Sequence, residues 1–240
     1  MKLYYLIKYI TNYLKIIYFF LRKVFFPVYL KKILRNSSYV LHIGGHTCEE
    51  RFLYNKFNLK VCFIESDKKS YSTGLQNLKS FINQRIINET IGRPGLKVFY
   101  KLNYSRCSSL LKPHLIQKNY RMKIIEKKKV YVKTLDRIIK KYKIKIISDS
   151  VLIIDTQGSE LEILKSTRIQ TLKKFKYIIA ECSQYENYKL SDNYTKLIKF
   201  MESKSFKKVY QQRTDFYLNE NFKIFYDYET YFKNSNKQLQ

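Results

Sequence analysis

One short segment near the middle of the chain combines three patterns that together indicate a strand, a turn and a helix. The apolar run Val151–Ile154 ends at Asp155, Gly158 follows three residues later, and a segment rich in Glu and Leu comes next. This order is typical of a buried parallel strand, a tight turn and a helix. Because ligands of open α/β sheets bind at the carboxyl ends of the strands, Asp155 and Gln157 are predicted to lie at a functional site.

The same rhythm of apolar runs and helix-like segments occupies most of the chain after Ser37. Further strands are predicted at 39–43, 60–64, 85–90, 97–100, 130–132 and 177–181, helices at 49–57, 68–81, 135–142 and 193–203, and a terminal hairpin from 207–210 and 215–218. Repeated β–α units followed by a hairpin favour an α/β fold with a mostly parallel sheet and an antiparallel edge. The predicted organisation is a helical extension at 1–36, one domain at 37–225 and a tail at 226–240.

The N-terminal extension is strongly apolar and aromatic. Its charges at Lys8, Lys15 and Arg22 are seven residues apart, which on a helix places them on one stripe. No uncharged stretch is long enough to span a bilayer and no small-residue cleavage site follows, so neither a transmembrane helix nor a signal peptide is expected. Two interpretations stay open: an amphipathic helix on an anionic membrane surface, or a helical arm packed on the domain or on a second subunit. Pro27 is expected to end or kink the first helix.

Composition changes this picture only in part. A hydrophobic content of 45% argues against wholesale disorder. The formal net charge of +28 invites a nucleic-acid interpretation. However, the lysines are spread along the chain, and the joint abundance of Lys, Ile, Tyr and Asn is what an AT-rich coding sequence produces. Nucleic acid is therefore disfavoured as a partner, and anionic lipid or acidic glycan is an equally good explanation of the charge.

The cysteines and histidines show no pattern that indicates a metal site. The four cysteines form no C-x-x-C pair, so disulfides are not expected and a reducing cytoplasm fits best. His42 and His46 are four residues apart, but one belongs to a predicted strand and the other to a turn. No carboxylate is suitably spaced as a third ligand, so no metal is predicted.

A glycine pair and an acid indicate a nucleoside-containing cofactor. Gly44 and Gly45 directly follow the first predicted strand, where they let the backbone approach a ligand closely. Glu65 ends the second strand about 20 residues later and suits the hydroxyls of a ribose. The further glycines of a dinucleotide fingerprint are missing, so there is little provision for a pyrophosphate. S-adenosylmethionine, which has no phosphate, fits better.

At this point the sequence resembles the FkbM family of S-adenosylmethionine-dependent methyltransferases over roughly residues 37–219. Residues 151–165 resemble the family motif K-I-D-x-x-G-x-E-x-x-x-L-K, with Asp155, Gly158, Glu160, Leu164 and Lys165 matched. Four weaker segments lie in the right order: Ile64-Glu65, Ser108-Ser109-Leu110, Val132 to Asp136, and Ile179-Ala180-Glu181. The resemblance implies a class I methyltransferase fold with seven strands and an antiparallel final hairpin. It also implies O-methylation of sugars, lipids or natural products.

The first motif departs from the usual family pattern D-x-G-A-N-x-G. This chain has His42, Gly44, Gly45, His46 and Cys48 at the corresponding places, so an imidazole replaces the usual acid. The segment from His42 to Glu50 resembles an H-I-G-A-H-x-C-E-E variant of a related branch, which makes the change a subfamily trait.

Two sets of site residues are predicted. The catalytic set is Asp155, Glu181 and His46, and the cofactor-binding set is His42, Gly44, Gly45, Glu65, Thr90, Ser108, Asp155 and Gln157. Asp155 is expected to orient the substrate or the cofactor amine or to act as a general base, although it could also cap the next helix. Glu181 is open between a site role and a structural one, and His46 is a candidate proton acceptor.

The predicted function is transfer of a methyl group from S-adenosylmethionine to a hydroxyl of a glycan, a lipid-linked saccharide or a related metabolite. A cytoplasmic location with peripheral membrane association is expected. Two alternatives remain, a non-catalytic methyltransferase-like module that binds a membrane or a partner, and an RNA methyltransferase. The second is disfavoured because no N-P-P-Y-like tetrapeptide follows the fourth core strand.

Overall fold

The fold is known from a computed structural model, which describes residues 28–191, 193–218 and 224–236. The helices are α1 (Val28–Arg35), α2 (Arg51–Lys56), α3 (Lys68–Asn77), α4 (Leu115–Tyr120), α5 (Leu135–Lys141), α6 (Glu160–Ser166), α7 (Ile169–Leu172) and α8 (Tyr194–Ser203), with a 3-10 turn at Ser105–Cys107. The strands are β1 (Tyr39–Ile43), β2 (Lys60–Glu65), β3 (Gln84–Asn88), β4 (Thr90–Ile91), β5 (Gly95–Leu102), β6 (Ile124–Lys133), β7 (Val151–Ile154), β8 (Tyr177–Ser183), β9 (Phe206–Leu218) and β10 (Ile224–Asn234).

Seven strands form the main sheet in the order β3-β2-β1-β7-β8-β10-β9. The first five are parallel to one another, and β10 pairs antiparallel with both β8 and β9. Strands β1, β2 and β7 are apolar and almost wholly buried because helices cover both faces of the sheet. This architecture confirms the predicted fold class, a mostly parallel α/β sheet with an antiparallel C-terminal hairpin.

The predicted hairpin was wrong in its bounds. Residues 207–210 and 215–218 belong to a single strand, β9, and its partner β10 begins at Ile224 and ends at Asn234. The domain therefore extends through residues 226–234, which were assigned to the tail. The polar run Gln211 to Thr214 is typical of a turn, but it lies within the edge strand β9. An edge strand tolerates polar side chains because one of its faces meets solvent.

A second, three-stranded sheet in the order β4-β6-β5 was not predicted. The expected short strands at 97–100 and 130–132 are the middle of β5 and the carboxyl-terminal part of β6, which form one long antiparallel pair. Residues 125–129 of β6 are exposed and mostly lysine, so they lack the apolar alternation by which a strand is recognised.

Helix α1 packs on the domain. Leu30, Ile33 and Leu34 are buried in the same apolar cluster as β1 and β2 residues, and the ring of Tyr29 stacks on that of Tyr210 with centroids 4.5 Å apart. The end of the N-terminal extension is thus an arm packed on the domain, one of the two interpretations left open. Pro27 and the charged stripe at positions 8, 15 and 22 lie outside the described residues. None of the described helices is long and apolar enough to cross a membrane.

Candidate active site

The carboxyl ends of β1, β2, β7 and β8 meet at one edge of the main sheet, where the predicted site residues converge. A cavity of about 420 Å³ opens there. It is lined by Gly44, Gly45, His46, Asp155, Gln157 and Glu181, together with residues of the β10 strand and of the loop after β8. Six of the predicted site residues therefore share one cavity.

The glycine pair lets β1 turn sharply beside the end of β7. Gly44 has a φ of +86°, and a Cβ atom built on it would lie 1.7 Å from the carbonyl oxygen of Asp155. A Cβ on Gly45 would lie 2.8 Å from the ring of Phe63. The N–H groups of both glycines donate to the carbonyl oxygen of Ile64, at 2.9 and 3.1 Å. Only glycine is tolerated at the first position, since it combines a left-handed φ with a close backbone approach.

Glu65 is a buried carboxyl at the end of β2. Its Oε2 accepts a hydrogen bond of 2.8 Å from the N–H of His46, and its Oε1 accepts one of 2.7 Å from the N–H of Asp67. Burial raises the pKa of Glu65 to about 7, although the two backbone donors act in the opposite direction. The carboxyl is thus held rigidly beside the glycine turn, where it suits the hydroxyls of a ribose.

Asp155, Gln157 and Glu181 form one hydrogen-bonded cluster. The Gln157 amide donates to Asp155 Oδ1 at 2.7 Å and to Glu181 Oε2 at 3.0 Å, and the two carboxyl groups also bond each other. Burial, and then the negative charges of Asp155 and Asp227, raise the pKa of Glu181 well above its usual value. The neutral form of Glu181 is therefore favoured relative to that of an exposed glutamate.

The loop that carries this cluster is fixed by Glu160. Its carboxyl oxygens accept hydrogen bonds from the N–H groups of Thr156 at 2.7 Å and of Gly158 at 3.0 Å. Burial raises the pKa of Glu160 to about 7. Helix α6 begins at Glu160 with Ser159 as its N-cap, so Asp155 does not cap this helix. Because Asp155 is not the N-cap of α6, its side chain remains available to a ligand in the cavity.

A contact from the 3-10 turn closes over the glycine turn. The Ser105 hydroxyl lies 2.8 Å from His46 Nε2, and Arg106 forms an ion pair with Glu49. A second cavity of only about 50 Å³ lies beside Glu65, and His46 and Arg106 line both cavities. This smaller space is too small for a nucleoside, so a cofactor bound at Glu65 would require the 3-10 turn to move away from the glycine turn.

Three predicted cofactor-binding residues lie elsewhere or have local partners. His42 is 5% exposed in the core, where its Nδ1 lies 3.0 Å from the hydroxyl of Tyr54 and its ring packs against Phe63. Because side chains alternate along β1, His42 lies on the same face as Val40, toward Tyr54. Thr90 is buried in β4 and is not among the residues that line either cavity. Ser108 lines the smaller cavity, but its hydroxyl accepts from the N–H of Leu102 at 3.1 Å.

Several residues of the cavity were missed by the sequence analysis. The clearest are Arg106, Asn187, Tyr188, Thr214 and Asp227. They come from loops and from the C-terminal hairpin, where no motif marks them. The bounds of that hairpin were also predicted wrongly, which placed Asp227 in the tail.

The described residues show no metal centre: no group of three or more His, Cys, Asp or Glu side chains is arranged to hold an ion. Their chemistry instead fits an adenosine-type cofactor, with Glu65 for the ribose and Asp155 for an amine. The model of the FkbM methyltransferase domain family matches residues 44–208. The chain belongs to this family. It is therefore an S-adenosylmethionine-dependent methyltransferase, and the resemblance seen in the sequence is confirmed.

Other comparisons with this FkbM methyltransferase gave only distant similarities. No curated protein sequence matches it significantly. The methyltransferase domain of METTL16 is 9% identical with a TM-score of 0.48 over 85% of this chain and 64% of that one, so the chain spans less than two thirds of that structure. The PH0226 protein of Pyrococcus horikoshii OT3 is 11% identical with a TM-score of 0.45 over 90% and 91%. Magnesium protoporphyrin IX methyltransferase of Synechocystis PCC 6803, solved with bound SAM, is 8% identical with a TM-score of 0.40 over 84% and 72%.

The pKa of Glu65 leads to a pH-dependent cofactor affinity. If Glu65 binds the ribose, the ribose hydroxyls would donate to its ionised carboxylate, which in the free protein predominates only above a pH of about 7. Binding therefore releases a proton at lower pH, and the affinity should fall by up to about tenfold per pH unit below about 7. Calorimetric titration with S-adenosylmethionine in buffers of different ionisation enthalpy measures both effects.

The variant Glu65→Gln is the control for this pH dependence. It cannot ionise at this position, so any remaining dependence reports Glu160 or the Asp155–Glu181 pair. An affinity in the wild type that stays constant between about pH 5.5 and 8 would contradict the assignment of Glu65 as the ribose ligand.

Proposed function

We propose that this FkbM methyltransferase transfers the methyl group to a hydroxyl oxygen of a glycan, a lipid-linked saccharide or a related metabolite. The observation that supports this is the cluster of Asp155, Gln157 and Glu181 at the edge of the cavity. Its carboxylate oxygens can accept the proton of a hydroxyl, and the Gln157 amide holds both carboxyl groups in place.

The residues divide the work as follows. S-adenosylmethionine, when bound, supplies an activated methyl group, so the protein needs mainly to align the acceptor oxygen and to exclude water. Glu65 and the glycine turn hold the ribose, and Asp155 lies one strand further along the sheet. His46 is the second candidate proton acceptor, and its Nε2 lies 2.8 Å from the Ser105 hydroxyl.

Association with an anionic membrane surface remains part of the proposal, and it rests on the sequence of residues 3–27. The packing of α1 on the domain fits this arrangement because it would fix the preceding residues to the enzyme.

A non-catalytic binding module is the second candidate. It is favoured by the position of His42, which stands where the family usually has an acid and points into the core instead of the cavity. An RNA methyltransferase is supported only by the net charge.

Calorimetry and methyl transfer test the proposal in two steps. The first is titration with S-adenosylmethionine. The second is transfer of a radiolabelled methyl group to fractionated small molecules, lipid-linked saccharides and RNA. We expect label in the saccharide or metabolite fractions that resists alkali, as an ether does and an ester does not. Asp155→Asn should reduce the transfer rate about 100-fold or more.

Three outcomes separate the candidates. Alkali-stable label that depends on Asp155, and that NMR of the product places on an oxygen, supports O-methylation. Cofactor binding without label in any fraction supports the non-catalytic module, and label confined to RNA supports the third candidate. Glu202→Gln, which removes one exposed charge on α8, is the control and should leave both binding and transfer unchanged.

A further inference from the structure

The cavity has an acidic lining, although the chain as a whole has a net charge of +28. Its basic side chains are Arg106, which is paired with Glu49, and His46. The carboxyl groups that line it are Glu49, Glu50, Asp155, Glu160, Glu181 and Asp227. Because charges of one sign in a recess reinforce one another, this cavity attracts cations and repels phosphate and carboxylate groups.

We call one side of the cavity the distal wall. It is formed by β8, β10 and the loop after β8, and its polar residues are Glu181, Ser183, Asn187 and Asp227. Its polar groups form a relay. The Asn187 amide donates to the Ser183 hydroxyl at 3.4 Å, and this hydroxyl donates to Asp227, whose other oxygen accepts from Tyr185 at 2.8 Å. The relay fixes the orientation of the Asn187 amide.

One hydrogen-bond acceptor of the distal wall has no partner. Asn187 is 9% exposed, and its Oδ1 is buried without a hydrogen bond in the described structure. A buried acceptor without a partner costs free energy, so it is expected to bind a donor from a ligand. Asn187 lines the cavity, and because its amide nitrogen bonds Ser183, Oδ1 is the atom of this amide that is left to accept from a ligand.

The position of the distal wall assigns it to the methyl acceptor and not to the cofactor. Glu65 ends β2, and the strand order from there is β2, β1, β7, β8, β10. Four strand spacings separate β2 from β10, a distance of roughly 19 Å. A cofactor held by Glu65 would extend toward Asp155 at the end of β7, and the groups on β8 and β10 would lie beyond it.

We propose that the distal wall binds a protonated amine of the acceptor, so that the substrate is an amino-bearing polyol, such as an amino sugar, that is methylated on a hydroxyl. This inference rests on the proposed O-methylation. An ammonium group has one positive charge and three donors and no acceptor, which matches a wall of two carboxyl groups and a free amide oxygen. A phosphate group on the same ring would be repelled.

Four sugars that differ at one group test this assignment. D-glucosamine, D-glucose, N-acetyl-D-glucosamine and D-glucose 6-phosphate are titrated into the enzyme saturated with S-adenosylhomocysteine, and binding is followed by ligand-observed NMR. We expect glucosamine to bind about tenfold or more tightly than glucose, because a charged hydrogen bond replaces a neutral one. The acetylated and phosphorylated sugars should show no such gain.

The variant Asp227→Asn should abolish the preference for glucosamine, whereas the surface control Glu202→Gln should keep it. If Asp227→Asn fails to fold, the comparison of glucosamine with glucose on the wild type still decides, since the two sugars differ only in the ammonium group that replaces a hydroxyl.

Two kinds of failure are distinguishable. Equal binding of glucosamine and glucose, tighter binding of the phosphate, or no binding of any sugar at the highest soluble concentration overturns the amine site. Absence of S-adenosylmethionine binding overturns the methyltransferase function itself, which is measured separately and without a sugar.

Discussion

Replacing Glu65 by alanine is expected to weaken S-adenosylmethionine binding roughly 100-fold, because hydrogen bonds to a charged group contribute about 1.5–3 kcal/mol each. The carboxylate stands beside the glycine turn at the end of β2, where two ribose hydroxyls would donate to it. Isothermal titration gives the affinity directly and does not require the methyl acceptor.

Glu65 also holds the turn, so loss of binding must be separated from loss of structure. Its oxygens accept from the N–H groups of His46 and Asp67, and alanine leaves both donors without this partner. Glu65→Gln keeps one acceptor oxygen for them and should bind the cofactor with intermediate affinity. Thermal unfolding of both variants, with Glu202→Ala as the surface control, shows whether the domain stays folded. An unchanged affinity in a folded Glu65→Ala protein would show that the ribose lies elsewhere.

The sheet and most of the site edge could be predicted from local sequence signals. Strands β2 and β7 are apolar runs that reach an acid, Glu65 and Asp155, and β1 reaches the glycine pair. Since the carboxyl ends of parallel strands share one edge, the chain order alone places Gly44, Glu65, Asp155 and Glu181 near one another. The roles of these residues toward cofactor and acceptor stay predictions.

The features that the sequence analysis predicted wrongly or missed have no local signal in the sequence. Whether His42 faces the core or the ligand depends on the alternation of β1 and on Tyr54, which lies in a later helix. Asp227 reaches the cavity only because β10 pairs with β8, a contact between distant parts of the chain. The exposed lysines of β6 form a strand because β5 pairs with it, and no apolar alternation records that pairing.

Among alanine substitutions of the described glycines, Gly44→Ala should disrupt the site most. The new Cβ would lie 1.7 Å from the carbonyl oxygen of Asp155, which is backbone and cannot rotate away. The residue also keeps a φ of +86°, which alanine adopts only with strain. The two effects together should lower the free energy of unfolding by about 4 kcal/mol, which is more than most single substitutions cost.

Gly95→Ala separates strain from collision. Gly95 also has a left-handed φ, +137°, but a Cβ there would meet no atom within 4 Å. It should therefore cost only the conformational strain, about 1–2 kcal/mol. Urea unfolding compares the two variants, and calorimetry compares their affinity for S-adenosylmethionine. If Gly44→Ala were as stable as Gly95→Ala and bound the cofactor normally, β1 and β7 could not approach as closely as they do here. The glycine turn would then not be what places Asp155 beside the cofactor.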